Sequence, residues 1–380
     1  MDTNQIYGFL NDIVSQGIGV DQLTVADEAG LIALGNSVLS SNSNTENFLN
    51  TLVQRIGRTI IRYRKYQNKL SGMILDDFEY GAIVQKIRVA MPEAEEDESF
   101  DLVDGQSVDH YKIAKPDARQ KLFVTRTPYQ YKITIQRKHL KEAFLSASGM
   151  SSFISAVFGE VRNAIDLGLE RLARNAINNM IAESYGASAA APKQNVINLG
   201  TLYRAINANA PVTAAELMND SDFLRFAVST MNTRIDMMQE MSVLNMADTS
   251  QDALPTFTPK DRMHVYIMSQ FKRRLETVVQ YAAFNELLVD IAGNDTLTYL
   301  QAQQTPLAIN VKRASDGTAI NVDNIVGLAY DRDACGAYKW DEEVQTTPIN
   351  AAGLYYNTYY HLQQLWFNDL SENFVVFTLN

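Results

Sequence analysis

Residues 151–185 read SSFISAVFGEVRNAIDLGLERLARNAINNMIAESY, and their periodicity sets the reading of the chain around them. Ile154, Phe158, Val161, Ile165, Leu169, Leu172, Ala176 and Met180 recur every three or four positions, the spacing that brings side chains onto one face of an α-helix. Val157, Gly168, Ala173, Ile177 and Ile181 widen that face, while Glu160, Arg162, Asn163, Glu170, Arg171, Arg174 and Asn178 fill the opposite one. Ser151 or Ser152 caps the start, and Gly186 closes the end in a left-handed conformation. At about 1.5 Å per residue the helix is a rod of roughly 50 Å, long enough to act as a spine with other elements laid across it. A long core helix in an ordinary enzyme is the competing reading of this stretch alone.

Working outward toward the N-terminus, residues 121–135 alternate apolar and polar positions, with Leu122, Val124, Tyr131, Ile133 and Ile135 on the apolar side, which is a strand signal. Residues 82–90 alternate in the same way, Ile83, Gln85, Ile87 and Val89 against Val84, Lys86, Arg88 and Ala90, and read as the partner strand. Between them lies a polar excursion with the acidic residues Glu93, Glu95, Glu96, Asp97 and Glu98, then Asp101 and Asp104, punctuated by Pro92, Gly105 and Pro116. So long a charged excursion buries little and costs ordering entropy, so it makes better sense reaching over a neighbouring molecule than lying on its own domain. Its carboxylates lack the spaced oxygens and turn glycine of a calcium loop. A helix from Phe48 to about Lys69, opened by Thr45 or Asn47, carries a basic stripe at Arg55, Arg58, Arg62, Lys65 and Lys69. That stripe reads as a face turned to DNA or an acidic neighbour, or as the solvated side of an amphipathic helix. Residues 1–45, interrupted by Gly17, Gly19, Gly30 and Gly35 and ending in Ser40-Ser41-Asn42-Ser43-Asn44, read as an arm with little core of its own.

Working outward toward the C-terminus, residues 186–192 read as a mobile connector. Asp220 or Ser221 caps a helix with Leu224, Ala227, Val228, Met231, Ile235 and Met238 on one face. His264-Val265-Tyr266-Ile267-Met268 is a buried strand leading into a helix capped by Ser269, and another strand covers 325–329, which implies a mixed sheet packed by helices. Residues 354–366 (LYYNTYYHLQQLW) and 374–378 (FVVFT) are strands, so the chain ends inside a sheet.

The chain of 380 residues, 46% of them hydrophobic, has material for two or three domains and a sizeable core. A net charge of −11 argues against nucleic-acid binding as the main task, because neutralising phosphates needs concentrated Lys and Arg. The single cysteine, Cys335, forms no internal disulfide, and no apolar run reaches the ~18 residues of a membrane span. Met1 to Leu10 carries Asp2 and no basic cluster, so no signal peptide is read. Gly17-Ile18-Gly19 lacks both the lysine of a phosphate loop and the third glycine of a dinucleotide fingerprint. His110, His139, His264 and His361 stand apart from one another, and a strand-end turn explains the pair Asp331 and Asp333. No catalytic, cofactor or metal site is therefore expected.

Taken in order, the elements resemble the major capsid proteins of tailed bacteriophages, the Hong Kong 97 fold, and within them the phi-29-like small podophages. The resemblance rests on Phe48-Leu49-Asn50-Thr51-Leu52-Val53-Gln54-Arg55-Ile56-Gly57 with Ile61-Arg62, on Leu140-Lys141-Glu142-Ala143-Phe144 before Phe153-Ile154-Ser155, and on Gly353-Leu354-Tyr355-Tyr356-Asn357-Thr358-Tyr359-Tyr360-His361. It departs at one point, since the phi-29 protein carries an extra immunoglobulin-like C-terminal domain and this sequence stops at Asn380. The resemblance implies an α+β chain with an N-terminal arm and helix at 1–70 and an extended two-stranded loop at 71–138. It implies a peripheral domain at 139–212 plus 354–380 with the spine at 151–185, and an axial domain with a mixed sheet at 213–353. It implies no cofactor, no membrane, and self-assembly into pentamers and hexamers of an icosahedral or prolate shell around double-stranded DNA. A scaffolding protein and a portal are the implied partners, DNA contact is weak and non-specific, and the particle is a virion assembled in the host cytoplasm. A portal-like ring protein and an α/β enzyme are the alternatives.

Overall fold

The computed structural model describes residues 3–17, 24–56, 70–75, 84–92, 94, 104–105, 111, 113, 115–123, 127–188, 190, 193–250, 253–279 and 294–380. Three helices open the chain: α1 (Thr3–Gly17), α2 (Glu28–Leu39) and α3 (Asn42–Ile56). This corrects the expectation of an arm without a core. Ile6, Leu10, Ile13, Leu31, Leu34 and Val38 are buried in one cluster with Phe48, Leu49, Leu52, Phe144 and Met150. Gly30 and Gly35, expected to interrupt this region, lie within α2. Gly30 N donates to the cap Asp27 Oδ1 at 2.7 Å, and at Gly35 an added Cβ would stand 2.6 Å from Phe144 Cβ, so α2 can approach Phe144 closely only without a side chain. Ser41, not Thr45 or Asn47, starts α3, its Oγ accepting from Asn44 N at 3.0 Å, while Thr45 is buried and bonds Val38 O. The expected continuation of this helix to Lys69 lies outside the described residues beyond Ile56.

Next come β1 (Ile74–Leu75), β2 (Val84–Val89), β3 (Ala118–Phe123) and β4 (Thr127–Gln136). Residues 121–135, read as one strand, belong to two: β3 pairs antiparallel with β2, whereas β4 joins a different sheet. Then follow α4 (Arg137–Ala143), α5 (Ala147–Ile154), a π-turn (Ser155–Gly159) and α6 (Glu160–Tyr185). The spine thus begins a turn earlier than its apolar pattern suggested. Ser146, in extended conformation, caps it by accepting from Gly149 N at 3.0 Å, because Ala147, Met150 and Ile154 extend the buried stripe backward. Gly186 ends it at φ +66°, a positive value as expected, although with ψ −149° it leaves the left-handed helical region.

The rest comprises β5 (Val196–Asn198), α7 (Leu199–Ile206), α8 (Ala214–Leu217), α9 (Ser221–Met237), β6 (Met263–Met268), α10 (Ser269–Arg274), β7 (Asn294–Leu297), β8 (Ile309–Lys312), β9 (Ala319–Val322), β10 (Ile325–Asp331), β11 (Cys335–Thr346), β12 (Tyr355–Asn368) and β13 (Phe374–Thr378). Asp220 caps α9 as expected, accepting from Asp222 N at 2.9 Å and Phe223 N at 3.3 Å; α10 starts at Ser269 without a side-chain cap. One sheet runs β1-β11-β12-β4 and the other β5-β13-β10-β6-β7. The spine joins their cores. Val161, Ile165 and Leu169 pack with Ile135, Tyr356 and Tyr360 of the first sheet, and Ala176, Met180 and Ile181 pack with Leu328, Phe374 and Val376 of the second. The second sheet is covered on its other face by α7 and α9, through Tyr203, Leu224, Met231, Val375 and Phe377. Strands β10 and β13 are buried at every position, which is why they read as unbroken apolar runs.

Candidate functional site

The hairpin β2–β3 stands apart from both sheets, and its two faces are unlike. The register places Ile87 opposite Gln120 and Gln85 opposite Leu122, with Val89 opposite Ala118, so Ile87, Val89 and Leu122 share a face. They are 61%, 57% and 53% exposed. The other face carries Lys86 opposite Lys121 and Arg88 opposite Arg119, and it is the one turned to the body of the subunit. Ordinary burial would put the aliphatic side chains inward and the cations in water. Here the subunit does the reverse.

Those cations meet the turn 369–373, between β12 and β13. Lys86 Nζ lies 2.8 Å from Asp369 Oδ2 and 2.5 Å from Glu372 Oε1 as ion pairs. Lys121 Nζ donates to Asp369 Oδ1 at 2.7 Å and to Ser371 Oγ at 2.8 Å. Arg88 donates to Ser371 O at 2.9 Å and to Pro255 O at 3.1 Å. Asp369 is buried, and burial alone would raise its pKa, but Lys86 and then Lys121 and Ser371 outweigh that and hold its carboxyl far below the usual range. Burial likewise pulls the Lys86 ammonium down, and Asp369 and Glu372 overcome it to leave it raised. Phe123, at the end of β3, adds an apolar foot by packing against Phe367 with ring centroids 5.4 Å apart.

Of the residues singled out in the sequence, Asp104 lies exposed on a turn with Gly105 at φ +82°. Glu93, Glu95, Glu96, Asp97, Glu98 and Asp101 lie outside the described residues. Arg55 falls within α3, while Arg58, Arg62, Lys65 and Lys69 lie outside the described residues. His110 also lies outside them; His139 and His361 are exposed, the latter stacked on Tyr359, and His264 stacks on Tyr266. Asp331 and Asp333 form the expected turn, with Asp333 N donating to Asp331 Oδ1 at 2.8 Å and Arg262 reaching Asp333. Among the described residues, no three His, Cys, Asp or Glu side chains converge as a metal site, and no helix is long and apolar enough to cross a membrane. The net charge of −11 does not betray the basic face of the hairpin. Its signal was the alternation Lys86-x-Arg88 with Arg119-x-Lys121.

Comparison with known proteins gives the same direction throughout. The family model described as Phi29-like phage major capsid protein matches residues 11–378. The major capsid protein of Bacillus phage GA-1 is 21% identical over 98% of this chain and 69% of its own length, and that of Bacillus phage B103 is 22% identical over 93% and 68%. A chain in the capsid structure of Staphylococcus phage Andhra superposes with a TM-score of 0.54 at 9% identity, covering 85% of this chain and 87% of its own. The α+β architecture of two sheets joined by a spine is accordingly the Hong Kong 97-like capsid fold. A family match across residues 11–378 shows that the chain belongs to the phi29-like phage major capsid proteins, structural components of a tailed-phage virion.

Proposed function

We propose that copies of this chain close into the shell, as pentamers and hexamers around double-stranded DNA, by laying the hairpin β2–β3 of each subunit across the next. The observation that carries this reading is the outward apolar face of Ile87, Val89 and Leu122 on a hairpin fastened by its opposite, charged face. Each of these side chains is already about half covered, so a neighbour gains roughly 1 kcal/mol per side chain by completing the burial. A contact of that size is weak alone and strong when repeated around a closed shell, which lets misplaced copies leave. The acidic excursion between β2 and β3, from Glu93 to Asp104, belongs to the same reach over the neighbour. In this reading the five-stranded sheet with its helices is the axial domain and the sheet β1-β11-β12-β4 with the spine is the peripheral domain, so that, against the expected bounds of 139–212 plus 354–380 and 213–353, β5 and β13 pass to the axial domain and β11 to the peripheral one. Assembly in the host cytoplasm with a scaffolding protein and a portal completes the reading.

The double substitution Ile87→Asp with Leu122→Asp tests it. Subunits are expected to keep their circular dichroism and to sediment as small species without shells; normal shells from this variant overturn the assignment. The basic stripe Arg55, Arg58, Arg62, Lys65 and Lys69 is assigned to an anionic neighbour or to packaged DNA, held weakly because a subunit of net charge −11 has little cation to spare. Unchanged particle yield and DNA retention after replacing all five with Gln contradict that assignment.

A further inference from the structure

The hairpin β2–β3 cannot hold its own shape. Two antiparallel strands in isolation are marginal, and directly opposed like charges destabilise the pair further. This hairpin has two such pairs on one face, Lys86 with Lys121 and Arg88 with Arg119. Asp117 beside Arg119 relieves part of one pair. Further compensation comes from Asp369, Ser371 and Glu372, and Asp369 lies 248 residues beyond Lys121.

That turn is in turn the meeting point of several separate parts of the body. Asp369 N donates to Ala334 O at 2.7 Å, at the corner between β10 and β11. Thr256 Oγ1 donates to Glu372 Oε2 at 3.2 Å, Phe374 N to Asn245 O at 2.8 Å, and Asn373 Nδ2 to Met238 O at 3.2 Å and Thr258 Oγ1 at 3.1 Å. Ser371 N and Oγ both donate to Asp369 Oδ1, at 3.1 and 2.7 Å, which aims the carboxylate. The carboxylates therefore reach their places only when β10–β11, the segment 238–258 and β12–β13 have all come together.

We propose that the turn 369–373 is a folding checkpoint for assembly: it fastens the hairpin in its outward pose only after the body of the subunit has closed, so an incompletely folded copy has no ordered hairpin to offer a neighbour. The proposal rests on the reading of the hairpin as the element that binds the next copy. It adds what controls that element. The like-charged pairs are the device, because a hairpin stable by itself would be presented by folded and unfolded bodies alike. The apolar foot at Phe123 and Phe367 does not substitute for the ion pairs, since it holds one end of β3 only.

Amide hydrogen exchange on subunits before shell formation, with shell formation followed in parallel, tests the proposal. In Lys86→Glu with Lys121→Glu, which leaves every residue of the body in place, residues 84–89 and 118–123 are expected to exchange at least about tenfold faster while residues 374–378 keep their protection. Shell formation is expected to slow in step. In Asp369→Asn with Glu372→Gln the hairpin is expected to loosen in the same way, and adding Lys86→Met with Lys121→Met is expected to restore most of its protection by removing the repulsion. Hairpin protection that persists in the charge-reversed variant overturns the proposal, as does normal assembly with a loosened hairpin. Failure of the underlying reading looks different: Ile87→Asp with Leu122→Asp would then keep both hairpin protection and shell formation.

Discussion

Replacing Glu183 with Ala separates the spine from the elements it organises. Glu183 lies near the C-terminal end of α6 and is 2% exposed. Its Oε2 accepts from Arg313 Nε at 3.1 Å, Arg313 Nη2 at 2.8 Å and Ser315 Oγ at 2.8 Å, and its Oε1 accepts from Ser315 N at 3.0 Å. The carboxylate thus ties the turn of the β8–β9 hairpin to the spine. A carboxylate at a helix C-terminus opposes the helix dipole, and the Arg313 guanidinium offsets that too. Truncating one partner of a buried pair costs about 3–5 kcal/mol, because the other charge stays behind. Arg313 keeps Asp316 at 2.6 Å and is 11% exposed, which lowers the expected loss to about 2–4 kcal/mol. Urea unfolding of unassembled subunits measures it, and the single changes Glu183→Met and Arg313→Met together with their double variant make a cycle. With both charges gone the loss should shrink to about 1 kcal/mol. A loss under about 0.5 kcal/mol for Glu183→Ala, or simple additivity in the cycle, refutes the claim that this pair fastens the hairpin to the spine.

Gly35→Ala should cost about 1–3 kcal/mol by driving a methyl group into Phe144, whereas Gly8→Ala, where an added Cβ meets nothing within 4 Å, should be neutral or stabilising; thermal melts of the two variants compare them directly. Asp369 has a depressed pKa, so its contribution is present above the ordinary carboxylate value near 4 and is lost as pH falls through the folded value. Lys86 has a raised pKa, so its contribution is present below the ordinary value and is lost as pH rises through the folded one. Limited proteolysis of the hairpin should therefore be flat from about pH 5 to 10 and rise only beyond those limits. Cys335 is fully buried and burial pushes its thiol up, so a thiol reagent at pH 8 should leave it unmodified in the native subunit and label it completely in denaturant.

Much of the framework was legible because it is written in local periodicity. Ile165, Leu169, Leu172, Ala176 and Met180 announce the spine, and Phe374-Val375-Val376-Phe377-Thr378 announces a strand covered on both sides. The N-terminal helices were hidden because Gly30 and Gly35 look like breakers until Asp27 and Phe144 are beside them; nothing local says that a glycine is needed for close approach. The split between β3 and β4 was hidden because Val124-Thr125-Arg126 carries no turn residue. At the candidate site the alternation of Ile87 and Val89 with Lys86 and Arg88 was readable, but which face turns inward was not. The usual rule puts the aliphatic face inside, and Asp369 and Glu372, which reverse it, stand at the far end of the chain.

The central claim is that the outward face of the hairpin belongs to the next copy. A density map of the assembled particle at side-chain resolution tests it most directly. Ile87, Val89 and Leu122 of each subunit are expected within about 4.5 Å of apolar side chains of a neighbour, with Lys86 and Lys121 still on their own Asp369. An outward face left in solvent, or folded back onto its own subunit, would contradict it.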